Sequence, residues 1–99
     1  GLLDGKKATN RKNGDPSEPI TPIDRLAKIA PKAMIDRHRI VDTGRIITGG
    51  GITSGLEMGF HLLERFGYDE KLVETTAYIM EYEKQWGIMK ADRLLVERE

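Results

Sequence analysis

Few residues in this chain are equipped for chemistry, and one stretch holds them at a useful spacing. Arg45-Ile-Ile-Thr48 is a short β-branched run, Gly49-Gly50-Gly51 follows, and Ser54-Gly-Leu-Glu57 carries the Ser-x-x-Glu pattern of a capping box. A strand that runs into a helix through glycines brings backbone amides close to a ligand. The helix dipole favours an anion, or a developing negative charge, at the same place. The plainer alternative is that the glycines only permit a sharp turn and close helix–strand packing. No Lys-Ser/Thr follows them, and their spacing misses the dinucleotide fingerprint. The stretch therefore reads as a pocket wall, not a nucleotide cradle.

The other reactive side chains are sparse. The chain has no cysteine, which excludes disulfides, thiolate metal sites and a cysteine nucleophile within it. Its two histidines, His38 and His61, lack the spacing of a metal pair. His38, between Arg37 and Arg39, is expected on a solvent-facing strand position. His61, one turn after Glu57, is expected to be structural. Glu57 is first a capping residue and second a candidate acid. Arg11 stands in a charged loop where it could orient a polar substrate. Tyr78, Tyr82 and Trp86 form an aromatic set suited to packing on a partner or on a missing part of the domain. No residue of the chain is assigned a catalytic role, and no cofactor or metal is implied.

Composition sets the frame for these elements. Ninety-nine residues suffice for one small domain, and 16 basic against 16 acidic residues give a formal net charge of zero. Nothing in that balance points to nucleic acid or to an anionic membrane. No apolar run approaches the roughly 18 residues of a membrane span. There is no secretory signal, and a soluble, cytoplasmic protein is the expectation.

Residues 1–9 read as the end of a helix, a Gly turn and a strand centred on Lys7–Thr9. Asn10 to Ile20 is a surface loop, rich in Asn, Asp, Gly and Pro. Thr21-Pro22-Ile23-Asp24 starts a helix that stops at or before Pro31, with Ile23, Leu26, Ala27 and Ala30 on its apolar stripe. Ala33–Ile35 is a candidate strand. Arg37–Val41 and Arg45–Thr48 are two strands joined by a tight turn at Asp42-Thr-Gly44. The spacing predicts a largely buried helix over 54–66, ended by Gly67. A final helix is capped by Asp69 and runs to about Gln85, with Leu72, Val73, Ala77, Ile79 and Met80 inward. The tail Ile88–Glu99 suits either a strand or a helix.

Two stretches together resemble the ThiJ/PfpI superfamily of glutamine-amidotransferase-like α/β proteins. Gly1-Leu-Leu-Asp-Gly-Lys-Lys-Ala-Thr9 is similar to the segment that follows the family's nucleophile helix. Val41-Asp-Thr-Gly-Arg-Ile-Ile-Thr-Gly-Gly-Gly-Ile-Thr-Ser-Gly-Leu-Glu57 is similar to its last strand and the loop to its next helix. Thr48-Gly-Gly-Gly-Ile-Thr-Ser-Gly55 and Met80-Glu-Tyr82 are closest to the isonitrile hydratase branch and to related sensor domains of AraC-type regulators. The resemblance covers residues 1 to about 83.

It implies that residues 1–87 are the C-terminal portion of a flavodoxin-like sandwich, with residues 88–99 as a tail. That architecture has a parallel sheet with helices on both faces and, here, a short hairpin. The family's nucleophile and helper carboxylate would then lie in an N-terminal half outside this chain. The family's Ala-Thr-Thr-His run reads Ala8-Thr9-Asn10-Arg11 here, so Arg11 takes the histidine position and cannot act as a base near neutral pH. The implied substrate pocket draws on Thr9, Asn10, Arg11, Gly49, Gly50, Gly51 and Ile52. The implied reaction is hydration of a small carbon–nitrogen substrate. The expected partners are the missing half or a second chain, a homodimer mate and a small molecule. A ligand-sensing domain without catalysis and a purely structural half-domain are the competing expectations.

Overall fold

A computed structural model describes residues 1–89 and 94–97. The elements are β1 (Lys7–Ala8), α1 (Pro22–Ile29), β2 (Met34–Ile35), β3 (Ile40–Asp42) and β4 (Ile47–Gly49). They continue with α2 (Ser54–Arg65), α3 (Glu70–Ile79), α4 (Glu83–Met89) and β5 (Leu94–Val96). The class is mixed α/β. The strands form two small sheets in place of the single parallel sheet expected. β1 and β2 pair in parallel, Lys7 with Met34 and Ala8 with Ile35. β3 sits between β4 and β5, antiparallel to the first and parallel to the second. The tail thus supplies both the end of a helix and a strand.

Local sequence explains two of the four helix starts among the described residues. Thr21 Oγ1 accepts from Asp24 N–H at 3.3 Å, Pro22 occupies the first turn, and α1 ends before Pro31. Asp69 caps α3 through a 2.8 Å bond from Leu72 N–H. The capping box expected at α2 does not form. Thr53 is the N-cap without a side-chain bond, Ser54 lies inside the helix, and Glu57 turns inward. Arg39 explains the difference: its guanidinium holds both Glu57 oxygens at 2.8–3.1 Å, a stronger attraction than one backbone amide offers.

The expected continuous final helix is broken at Met80–Tyr82. Glu81 adopts a left-handed φ of 57°, and Tyr82 N–H donates to Ala77 O at 2.8 Å, the six-to-one bond of a Schellman ending. The helical periodicity of the sequence runs through this point without a glycine to mark it. Breaking there turns α4 back, so that Trp86 lies 4.8 Å from the Phe60 ring and closes a core with Val73 and Ala77. Trp86 therefore packs within the chain rather than on a partner, while Tyr78 is exposed. Leu72, Ile79 and Met80, expected inward, are exposed, as are Ala27 on α1, Leu56 on α2 and Phe66 at the α2 C-cap.

The first strand of the hairpin is shorter than expected. Asp36 Oδ1 accepts from His38 N–H at 2.8 Å, an Asx-type turn that bends residues 37–39 out of the strand and puts His38 at the bend. Residues 2–5 form turns, not a helix end, and Gly5 carries the left-handed φ of 73°.

The molecule is a slab of 40 × 36 × 17 Å. Its radius of gyration, 14.5 Å, exceeds the ~13 Å usual for about 100 residues. Its accessible surface of 6657 Å² is about 1,000 Å² above the ~5,700 Å² that size scaling gives for 11.2 kDa. Among the described residues, no helix is long and apolar enough to cross a membrane.

Candidate functional site

A cleft of ≈ 510 Å³ opens where the segment after β1 meets the loop after β4. Six of the seven residues singled out for the pocket line it: Asn10, Arg11, Gly49, Gly50, Gly51 and Ile52. Pro22, Gly55 and Met58 complete the wall, and sequence reasoning did not single these out. Pro22 is brought in because Ile23 N–H bonds Arg11 O at 2.9 Å and Asn10 Nδ2 donates to Pro22 O at 3.2 Å. Gly55 and Met58 follow from the first turn of α2 facing the cleft, a placement that the Gly-x-x-Met spacing is compatible with but does not specify.

Thr9, the seventh, is buried behind the cleft and braces it. Its N–H donates to Thr48 Oγ1 at 3.0 Å, and its Oγ1 accepts from Lys12 Nζ at 3.4 Å. The bond to Thr48 ties the two sheets together at the base of the cleft.

The glycines act by leaving room, not by bending the chain. None of Gly49, Gly50 and Gly51 has a positive φ, so the expected glycine-only turn is not what they provide. A Cβ on Gly49 would stand 2.5 Å from Met58 Cε, and one on Gly50 would stand 3.2 Å from Ser54 Oγ and 3.4 Å from Lys12 Nζ. Close approach is the requirement at those two positions. Gly51 is less constrained, since its Cβ would make an ordinary contact with Arg11 Cγ at 3.7 Å.

Around the cleft the charge is positive. Lys12 Nζ donates to two neutral oxygens, Thr9 Oγ1 and His38 O at 3.2 Å. Burial, and then the charges of Arg37 and Arg39, lower its pKa, with Asp36 opposing them. Among the described residues, the cleft lining holds neither a carboxylate nor a histidine to serve as a general base.

Two ion pairs anchor α2 from behind, and both escaped the reading of the sequence. Arg39 and Tyr82 bracket the fully buried Glu57, with the Tyr82 hydroxyl donating at 3.4 Å. Burial, and then the Glu57 charge, raise the Tyr82 pKa. On the next helical turn, His61 Nε2 meets Asp42 Oδ2 at 2.6 Å, both residues being buried. Arg65 reaches Asp42 Oδ1 at 3.3 Å, and Gly44 N–H donates to the same oxygen at 2.8 Å. Burial pushes the Asp42 carboxyl up. The His61 and Gly44 hydrogen bonds, with the Arg65 and His61 charges, outweigh that and hold it below the usual carboxylate range. The i, i+4, i+8 spacing of Glu57, His61 and Arg65 was the available signal, since it sets all three on one face of α2.

Among the described residues, no three His, Asp or Glu side chains are grouped to hold a metal ion. Comparison of the chain with protein-family models, with curated proteins and with solved structures gives no match.

Proposed function

We propose that this chain is the C-terminal portion of a cytoplasmic ThiJ/PfpI-type α/β enzyme and that it forms one wall of a small-molecule pocket. The observation that carries the reading is the cleft itself. The two stretches that bear the resemblance lie far apart in sequence, yet Asn10-Arg11 and Gly49–Ile52 close on one cavity. Its volume falls within the ~300–1,000 Å³ typical of small-ligand sites. The slab's excess surface, and a β2 exposed on both faces, support a further layer supplied by an N-terminal half or a second chain. A flavodoxin-like sandwich is the arrangement that such a layer would complete, and a homodimer is the assembly we favour.

In this reading the reaction is isonitrile-hydratase-like: water adds to R–N≡C and gives the formamide R–NH–CHO. The acid, base and nucleophile come from outside this chain. Arg11 and the glycine loop orient the substrate. The test is the intact mass and sequence of the polypeptide that carries these residues in cells, followed by assay against a simple isocyanide. A Cys-bearing segment joined to or co-purifying with the chain, and formation of the formamide, are expected. A lone 11.2 kDa species without activity sinks the enzyme.

The second reading is a ligand sensor without catalysis, as in AraC-type regulators. The lack of a base in the cleft lining favours it. Binding of a small ligand, with turnover of none by the completed protein, would select it.

A further inference from the structure

We propose that the outward face of α2 is where a second copy of this chain docks, the two helices packing antiparallel across a twofold axis at Gly59. The partner's Phe66 would then lie against Ile52, on the rim of the cleft. The inference rests on the homodimer favoured above and names the surface that forms it.

α2 buries one face and leaves a second, apolar face in water. Ser54, Glu57, Phe60 and His61 turn inward and are buried. The opposite side carries Ile52, in the turn leading into the helix, Leu56, and Phe66 at the C-cap, at 91%, 42% and 76% exposure. At 3.6 residues per turn these three fall with Gly55 and Gly59 in one sector about 120° wide, and none of the helix's charged residues enters it. A contiguous apolar patch, unlike scattered apolar residues, marks an interaction site.

The order of residues along this face identifies the occupant. Ile52 stands seven residues before Gly59 and Phe66 seven after it. Leu56 and Gly55 stand three and four before it, and Leu62 and Leu63, both half-buried, three and four after it. The face therefore reads much the same in both directions, as a twofold contact requires, because there one patch must fit itself. Antiparallel packing sets Ile52 against the partner's Phe66, and Leu56 against the partner's Leu62 and the partner's Leu63. At the centre, Gly55 and Gly59 have nothing within 4 Å of a Cβ position, so nothing in the chain hinders the close approach of a second helix.

Charge and area point the same way. Arg11 stands beside Gly51 at the start of α2, where the helix dipole is also positive. The other end holds Glu64, Asp69 and Glu70, while Arg65 turns back to Asp42 and Gly44. Antiparallel packing brings each positive end to the partner's negative end, and parallel packing would bring like ends together. The surface excess of about 1,000 Å² is also close to the ~800 Å² per partner that a standard interface covers. Ile52 and Gly55 belong to the cleft wall as well as to this face, so the partner's helix end adds to the cleft.

The test uses the lack of cysteine in these 99 residues. Gly59→Cys puts a lone thiol on the twofold axis, and mild oxidation is expected to link most of the protein as a disulfide dimer. Lys28→Cys, on the exposed side of α1, is the control and is expected to stay unlinked. In analytical ultracentrifugation the unaltered chain, in whatever assembly it is isolated, is expected to self-associate reversibly. Gly59→Arg is expected to make it monomeric with its far-UV circular dichroism unchanged. Phe66→Ser, a milder change at the exposed C-cap, is expected to weaken the dimer about tenfold. A dimer that survives both Gly59→Arg and Phe66→Ser, or equal linking at positions 28 and 59, overturns the surface and leaves the homodimer standing. An unaltered chain that stays monomeric at every concentration overturns both, and the pocket reading stands. A different polypeptide that co-purifies and shields residues 52–66 from hydrogen exchange in place of a second copy overturns the choice of occupant.

Discussion

β2 and β3 are short strands of similar apolar character, yet they sit in opposite environments. In β3, Ile40, Val41 and Asp42 are each 0% exposed, although alternate residues of a strand face opposite ways. In β2, Met34 is 47% and Ile35 36% exposed. β3 has a hydrogen-bonded neighbour on each side and α2 against it, whereas β2 has β1 on one side and α1 near it. A strand in a parallel pair normally has both faces covered. The comparison therefore separates two regions of the molecule: around β3 and the inward face of α2 it is closed, and around β2 it is open.

Predictions that break or sharpen this contrast can be ordered by size. The largest effect is expected in the closed region, where Glu57→Gln puts a neutral amide at a fully buried position against Arg39, whose side chain is 35% exposed. It should lower unfolding stability by about 3 kcal/mol in urea melts, and a loss under ~1 kcal/mol would show that the pair is not effectively buried. Ile40→Ala in β3 should cost about 3 kcal/mol, from lost transfer energy and a cavity. Ile35→Ala in β2, measured on the chain by itself, should cost under ~1 kcal/mol, because the side chain is already partly in water. Equal losses at positions 35 and 40 would erase the contrast.

Asp42 gives the contrast a pH signature. Its folded pKa is lowered, so its contribution is present above the unfolded value of ~3.9 and is lost as pH falls through the folded one. Between pH 6 and pH 3 the unaltered protein should therefore lose more stability than Asp42→Asn does. Parallel pH profiles for the two proteins would rule that linkage out.

Helix caps supply the smallest effects. Asp69→Ala should cost about 1 kcal/mol, because it removes the bond to Leu72 N–H. Ser54→Ala should be neutral or slightly stabilising, since its hydroxyl makes no cap bond and has no partner. A cost near 1 kcal/mol at Ser54 would instead favour the capping box read from the sequence.

Which parts were legible follows from the range of the interactions. Thr21-Pro22 and Asp69 announced α1 and α3 because a cap acts within three residues. The turn at Gly44, the loop after Gly49 and the strand at Met34–Ile35 were readable for the same reason. The end of α3 was not. Glu81 adopts a left-handed backbone without glycine's help, held there by the packing of Trp86 on Phe60. Ser54-x-x-Glu57 was misread because the local cap competes with a distant arginine, and position 39 does not show in the local pattern that Glu57 is its partner.

By itself the sequence determined the mixed α/β class, most element positions, the neutral charge and the lack of cysteine in these 99 residues. It also singled out six residues that line one cleft. Periodicity, caps and glycine spacing are local properties, and local properties survive in a one-dimensional reading. Only the tertiary structure decided that the strands divide into two sheets, that α2 buries Glu57 and His61 toward β3, and that Lys12 Nζ and Ser54 Oγ both pack close to Gly50. Those outcomes depend on which distant groups can reach each other when the backbone closes. A buried charge or hydroxyl takes its meaning from the partner it finds there, or lacks.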